Sequence, residues 1–253
     1  MGAMVALAIA YAARRKALLT TGGAVTAVEL GALATMAGWA YGAMLILFFV
    51  TSVALSVWRR SEKQRLTADT IAKQGARDSM QVGTNGVVFT ACALAHLFTG
   101  SVGWAAAALG ALAAATADTW STEIGTAMRT VPRSILTMRP VAPGMSGGVT
   151  LGGTLAALGG AAFIAGVAMM GGLPRAAVFA AVGAGFAGAM VDSVLGASLQ
   201  SQRWCPRCKV ATERTLHRCG ELTVHQRGMQ WMDNDTVNFL ATIGGAAIGM
   251  ALA

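Results

Sequence analysis

A chain of 253 residues in which 55% are hydrophobic and only 12% are charged does not have the composition of an ordinary soluble domain. A mean hydropathy of +0.59 instead favours a membrane protein. The net charge of +8 would suit a nucleic-acid-binding protein, but the basic residues lie in loops between apolar stretches, which argues against that class.

Eight stretches approach the roughly 20 apolar residues that cross a bilayer. In chain order, they cover residues 2–13, 20–38, 41–58, 82–99, 103–120, 148–171, 174–199 and 234–253. The first stretch is short and the second contains Glu29, so the sequence predicts about eight spans, with a range of six to eight. We expect an all-α fold, a polytopic integral membrane helix bundle that forms one transmembrane domain over residues 1–253.

The basic residues occupy alternate loops of this eight-span topology. All 19 except Arg175 lie on one side, within 14–16, 59–77, 129–139 and 203–227. Because positive loops are retained in the cytoplasm, this side is expected to be cytosolic, in a bacterial inner membrane. Contact with anionic lipid headgroups is the simplest role of these side chains.

Asp118 and Glu123 lie at the cytosolic end of the fifth predicted span. Charged groups are costly next to lipid, so binding of a metal ion or a phosphorylated ligand would explain them. Five residues of an ideal helix turn the two carboxylates roughly 140° apart. They can therefore share one ion only if the helix bends or ends between them.

Polar residues spaced four apart lead into the fourth predicted span. Arg77, Gln81 and Asn85 are predicted to share one helical face. A second stripe, on the seventh predicted span, consists of Gly188, Asp192, Gly196 and Gln200. Its glycines would let a neighbouring helix approach closely, which would place Asp192 between helices rather than in lipid.

The last predicted span begins with a polar segment, residues 233–238. Asn234 and Asn238 share a helical face, and Asp235 is adjacent to Asn238. Helix capping explains one of the two acids in this segment but not Asp235 and Asn238 as well.

A glycine-rich segment, residues 143–150, precedes the sixth predicted span. Exposed backbone N–H groups at a helix N-terminus favour an anion, so Ser146, Gly147 and Gly148 could bind phosphate. A flexible turn with Ser146 as the helix N-cap is the alternative. The sequence contains no Gly-x-x-x-x-Gly-Lys-Ser/Thr motif, which excludes a P-loop.

All of these groups are predicted to lie at one membrane face, where they can converge. Carboxylate and amide oxygens suit Mg²⁺, whose coordination is often completed by substrate phosphates. The residues therefore indicate a cytosolic-face site for Mg²⁺ and a nucleotide that opens sideways into lipid.

The last basic loop, residues 201–232, is predicted to be a short cytosolic loop with a possible zinc knuckle. Its candidate ligands are Cys205, Cys208, His217 and Cys219. Their spacing is shorter than that of the usual zinc modules, so reduced, unligated thiols are the alternative. A stable disulfide is not expected in the cytosol.

Five segments, in order, look like the motifs of one family: residues 74–86, 117–125, 143–150, 192–200 and 234–240. The chain thus resembles the family of integral membrane proteins that includes plant and cyanobacterial phytyl-phosphate kinase. The resemblance covers roughly residues 55–245, and the Cys205–Cys219 segment resembles a feature of part of that family. Many members are uncharacterised, so membership alone does not identify the substrate.

The resemblance implies a phosphotransferase whose acceptor is an isoprenyl monophosphate such as phytyl phosphate and whose favoured phosphoryl donor is CTP. Such a reaction would belong to prenyl salvage for tocopherol or quinones. We assign Mg²⁺ binding to Asp118, Glu123, Asp192 and Asp235. Phosphate or sugar would be bound by Asn85, Ser146, Gly147, Gly148, Asn234 and Asn238. The transferring charge would be stabilised by Arg77, Arg133 or Arg139, and the prenyl tail would lie in a groove between helices.

Two other classes fit parts of the pattern. A transporter could use intramembrane acids and glycine-broken helices, but the predicted acids cluster at one face rather than near the midplane. An enzyme that transfers a phosphoalcohol from a CDP-linked lipid would also need Mg²⁺. The Asp-Gly-x-x-Ala-Arg pattern of that second class is absent from the sequence.

Overall fold

The computed structural model describes residues 2–73 and 75–253, which form nine α-helices. They are α1 (Gly2–Arg15), α2 (Thr21–Ala37), α3 (Trp39–Val57), α4 (Arg60–Leu66), α5 (Ser79–Thr99), α6 (Val102–Ala127), α7 (Leu151–Met170), α8 (Arg175–Ser198) and α9 (Asn234–Leu252). Gln74, the first residue of the first family-like segment, lies outside the described residues. Every predicted span coincides with a helix, and α4, of 7 residues, is additional.

Five of these helices are long and apolar enough to cross a membrane by length and composition, namely α3, α5, α7, α8 and α9. Helices α1 and α2 have 14 and 17 residues, shorter than a typical span. The total of eight spans therefore stays a prediction.

Helix α6 is the centre of the bundle, where it packs against α7, α8 and α9. Its side chains are buried almost without interruption from Ala105 to Ala117. Small residues make this packing close: a side chain at Gly110 would collide with the backbone of Gly245 in α9. A helix surrounded by other helices needs small residues more than strongly hydrophobic ones, because van der Waals packing holds it in place.

The chain is mostly helical, but the prediction of a purely α fold misses two small antiparallel sheets. Strands β1 (Arg133–Ser134) and β2 (Gly148–Val149) form one pair. The loop 201–232 contains β3 (Gln202–Cys205), β4 (Val210–Thr212) and β5 (Val224–Arg227), in the order β4–β3–β5. Strands of two to four residues are too short to produce an alternating pattern that a sequence could reveal.

Both sheets lie at the same end of the bundle as the C-terminal ends of α3, α6 and α8 and the N-terminal ends of α5 and α9. The turns at Gly38, Gly100 and 171–174 join helices at the other end. The basic loops therefore come together at one end, as the sequence pattern predicted.

Candidate functional site

A cavity of about 1120 Å³ opens at the end of the bundle that carries the basic loops. It is lined by every predicted Mg²⁺-binding and substrate-binding residue, namely Asn85, Asp118, Glu123, Ser146, Gly147, Gly148, Asp192, Asn234, Asp235 and Asn238. Arg77 also lines it, but Arg133 and Arg139 do not. Arg133 instead donates to the carbonyl of Met138 in the same loop.

One polar cluster of the cavity lies enclosed between four helices. It brings together Asn85 of α5, Asp118 of α6, Asp192 of α8 and Asn238 of α9. The side chains of Asp118 and Asp192 lie beside each other in this cluster. Among the described residues, Asp192 Oδ2 is buried without a hydrogen-bond partner. Two neighbouring carboxylates repel each other unless a proton or a cation reduces their charge, so this cluster fits a bound cation.

Close packing places Asp192 in this cluster. Gly188, one turn before it, lies against α6 and α9, where an added Cβ would be 3.2 Å from the carbonyl oxygen of Ala241. The predicted close approach of neighbouring helices is therefore confirmed at Gly188, as small residues allow in membrane bundles. Gly196 instead packs against the glycine-rich segment, and Gln200 lies beyond the end of α8.

Glu123 faces a different set of groups from Asp118. Helix α6 continues from Val102 to Ala127, so it does not end between the two acids. Glu123 accepts a hydrogen bond of 2.6 Å from the hydroxyl of Ser56 and forms an ion pair with Lys63. The Lys63 side chain is only 8% exposed. Lys63 therefore balances the charge of Glu123 within the cavity wall.

Arg77 lies before helix α5 rather than on it, so the prediction of one helical face for Arg77, Gln81 and Asn85 is wrong at its first member. The helix begins at Ser79 because Asp78 and Gln81 form a capping box. Arg77 donates to the hydroxyl of Ser56 at 3.3 Å. Burial lowers the pKa of Arg77, whereas nearby Glu123 raises it.

Asp235 is also paired with a lysine. Asp233, the N-cap of α9, accepts the N–H of Thr236 at 2.9 Å, so capping accounts for that acid. Asp235 is 3% exposed and forms an ion pair with Lys73. Burial alone would lower the pKa of Lys73, but its hydrogen bonds to Asp235 and Asp78 raise it. Within the described part of the chain, Asp235 Oδ1 is buried without a partner.

The glycine-rich segment is held against the end of α8. Gly147 has φ +75°, and an added Cβ there would lie 2.6 Å from the Cα atom of Ala197. The N–H and the hydroxyl of Ser146 both donate to the carboxylate of Glu213. Thr150, rather than Ser146, caps α7 by accepting the N–H of Gly153. A half-buried carboxylate thus occupies a position where the sequence predicts a phosphate.

Three charged residues that contact predicted site residues were themselves not predicted: Lys63, Lys73 and Glu213. The two lysines belong to a basic loop whose charge is explained equally well by lipid contact. Glu213 stands in the Cys-containing segment without any helical spacing that would relate it to the cavity. Burial raises the pKa of Glu213, and the two hydrogen bonds from Ser146 lower it.

An apolar arm of the cavity extends between α1, α2, α3 and α5. Its walls include Ile9, Leu30, Leu45, Phe48, Phe49, Val53 and Val82. A hydrocarbon chain fits such walls because it gains from burial and needs no polar partner. The cavity therefore combines a charged end with an apolar arm.

The predicted zinc ligands form a separate cluster in the three-stranded sheet. The ligand atoms of Cys205, Cys208, His217 and Cys219 all lie within 4.8 Å of one another. Within the described residues, no other group of three or more His, Cys, Asp or Glu side chains has this geometry.

Comparison with known proteins identifies a family of integral membrane proteins. The family model of integral membrane protein DUF92 matches residues 4–246. The chain is 28% identical to Protein PGR of Arabidopsis thaliana, over 93% of this chain and 89% of that protein. It is 30% identical to an uncharacterized membrane protein of Synechocystis, over 97% and 86%. An uncharacterized membrane protein of Methanocaldococcus jannaschii is 28% identical over 85% and 77%. No solved structure matches the chain.

Proposed function

The chain belongs to the integral membrane protein DUF92 family, and we propose that it is a Mg²⁺-dependent kinase that uses CTP to convert an isoprenyl monophosphate, such as phytyl phosphate, to the diphosphate. One observation carries this proposal: a single cavity joins a cluster of carboxylates, amides and basic groups to an apolar arm. An amphiphilic phosphate substrate needs both parts.

The proposed reaction requires positioning and charge neutralisation rather than a protein nucleophile. A phosphate oxygen of the prenyl monophosphate attacks the γ-phosphorus of CTP and forms the new P–O bond. The bond between the γ-phosphorus and the β,γ-bridging oxygen breaks, and CDP leaves with that electron pair. Such transfers depend on in-line alignment and on cations near the transferring phosphoryl group.

The acids of the enclosed cluster suit Mg²⁺ binding. Asp118 and Asp192 lie side by side, and Asp192 and Asp235 each have a buried oxygen with no partner among the described residues. When bound, Mg²⁺ would neutralise phosphate charge. Glu123 forms an ion pair with Lys63 and lies near Arg77. In the same site it would therefore hold these two basic side chains in position.

The basic groups fit phosphate binding. Arg77, Lys63 and Lys73 line the cavity and are held by acids or hydroxyls. Basic side chains that are already fixed in position stabilise the charge that develops on a transferring phosphoryl group, because they do not have to reorganise during the reaction. Asn85 and Asn238 would orient phosphate or sugar, and the apolar arm would bind the prenyl chain.

The charge pattern supports an orientation as well. Because the basic loops surround the mouth of the cavity, we place this face in the cytoplasm, where CTP is available, and the protein in a bacterial inner membrane. Lipid-soluble substrate would enter from the side.

Direct assay tests the proposal. Detergent-purified protein receives Mg²⁺, each nucleoside triphosphate in turn, and phytyl or geranylgeranyl monophosphate. The expected result is release of CDP together with an equal amount of prenyl diphosphate. Phytol in place of its phosphate serves as the control and should give no CDP. If no nucleoside diphosphate is released with any prenyl phosphate, the kinase assignment is wrong.

A further inference from the structure

The side chains of Cys205, Cys208, His217 and Cys219 have the arrangement of ligands around one tetrahedral ion. The Sγ atoms of Cys205 and Cys219 are 3.7 Å apart, and Nδ1 of His217 is 3.2 Å from Sγ of Cys219. Thiolates at about 2.3 Å from a tetrahedral zinc ion would be separated by about 3.8 Å. A disulfide would require about 2.05 Å.

The backbone around these residues also suits bound thiolates. Cys205 ends strand β3, and the N–H of Cys208 donates to its sulfur at 3.4 Å. Arg207 donates to the carbonyl of Cys219, so its guanidinium lies beside the cluster. Positive groups and N–H donors stabilise the ionised sulfur that binds a metal.

His217 has a carboxylate beside its far nitrogen, at contact distance but without the alignment of a hydrogen bond among the described residues. Its side chain is 1% exposed, and Nε2 lies 3.2 Å from Oδ1 of Asp69 while Nδ1 faces Cys219. A carboxylate on the far nitrogen orients a metal-bound imidazole and fixes the nitrogen that faces the ion. This contact comes from the α4–α5 connection and is independent of the cysteine spacing.

We propose that Cys205, Cys208, His217 and Cys219 bind one structural Zn²⁺, which holds the three-stranded sheet against the cavity. Three thiolates and a neutral imidazole give a closed four-ligand set with no open position, which is the pattern of a structural site. A segment as short as 201–232 has little core of its own, and such segments commonly depend on a metal.

The position of the sheet explains what the ion would stabilise. Just after β4, the N–H of Glu213 donates to the carbonyl of Thr70 at 2.9 Å, and Arg214 donates to that of Ala68 at 2.7 Å. The carboxylate of Glu213 meanwhile accepts from Ser146. The zinc-bound sheet therefore connects the α4–α5 loop, which carries Lys73 and Arg77, to the glycine-rich segment.

Metal analysis of the purified full-length chain tests this proposal. Inductively coupled plasma mass spectrometry should detect about one zinc ion per chain. Cys208→Ser and Cys219→Ser should lose most of this zinc. Cys92→Ser is the matched control, because Cys92 is buried in α5 outside the cluster, and it should keep its zinc. Full zinc content in Cys208→Ser would overturn the proposal.

Two further measurements keep the test decisive if the serine variants do not fold. His217→Cys retains four ligands and should still bind zinc. Chain produced with Co²⁺ in place of Zn²⁺ should show thiolate-to-cobalt charge-transfer absorption with tetrahedral intensity. Wild-type chain that lacks metal, with its thiols either free or oxidised to a disulfide, contradicts the zinc site. None of these readouts involves a prenyl phosphate, so they stand whether or not the kinase assay succeeds.

Discussion

Glu213 accepts hydrogen bonds from the backbone N–H of Ser146, at 3.1 Å, and from its hydroxyl, although 67 residues separate the two along the chain. The pair links the three-stranded sheet to the glycine-rich segment inside the cavity. Partial burial raises the pKa of the Glu213 carboxylate, which gives the link a pH dependence.

Replacing Glu213 by Gln should make stability less dependent on pH. Burial raises the pKa of Glu213 above its ordinary value of 4.5. A raised native pKa means that the contribution of the group to stability is present below pH 4.5 and is lost as the pH rises through the native pKa. Glu213→Gln should therefore gain thermal stability relative to wild type as the pH is raised from about 4.5. Glu221→Gln provides a carboxyl-to-amide control in the same segment. If the melting temperatures of wild type and Glu213→Gln change with pH in the same way, the expectation is wrong.

Asp118→Asn should abolish turnover while leaving the protein folded. The amide keeps the shape of the side chain but removes a charge that the proposed Mg²⁺ needs, so we expect the rate of CDP release to fall by about 100-fold or more. Glu29→Gln is a suitable control, because Glu29 is an acid of α2 that does not line the cavity. Retained activity in Asp118→Asn would remove this residue from the site.

Lys63→Met should destabilise the fold through Glu123. Removing one partner of a buried ion pair leaves the other charge without compensation. The Glu123 side chain is 23% exposed, so the pair is only partly removed from water. We therefore expect the free energy of unfolding to fall by up to about 3 kcal/mol, the lower end of the range for buried ion pairs. The double variant with Glu123→Gln should recover much of the thermal stability. If the loss of stability in the double variant equals the sum of the losses in the two single variants, the two residues are not coupled.

Gly147→Ala should displace the glycine-rich segment from α8. An alanine there must adopt φ +75° and place its Cβ against the backbone of Ala197. The backbone conformation alone costs about 1–2 kcal/mol. We expect lower thermal stability and a lower rate of the proposed kinase reaction. Gly166→Ala is the matched control, since a Cβ at Gly166 in α7 meets nothing within 4 Å. Equal behaviour of the two variants would rule out the close contact with α8.

Leu45→Trp should alter the chain-length preference of the proposed kinase. The larger side chain narrows the apolar arm, so phytyl phosphate should lose rate relative to a shorter prenyl phosphate. Val50→Trp changes an exposed position of the same helix that does not line the cavity and should leave this ratio unchanged. The measurement is the ratio of kcat/KM for the two substrates, and an unchanged ratio in Leu45→Trp would place the prenyl chain elsewhere.

Much of this architecture could be predicted from the sequence. Hydrophobic runs and the alternation of basic loops are properties of short stretches of chain, so they located the helices and assembled the polar residues at one end. The same local patterns put Asn85, Asp118, Asp192, Asp235 and Asn238 at helix ends that do meet at one cavity. The resemblance between five ordered segments and one family likewise needed only the order of residues, and the family match bears it out.

Only the tertiary structure decided which groups meet. Lys63 pairs with Glu123 across 60 residues and Lys73 with Asp235 across 162, because helix rotation and loop packing bring them together. The helical spacing of five already separated Asp118 from Glu123, but only the packing of α6 against α8 brought Asp118 to Asp192. Periodicity along a chain predicts the face of a helix on which a residue lies, whereas the identity of the facing residue depends on contacts between segments distant in sequence.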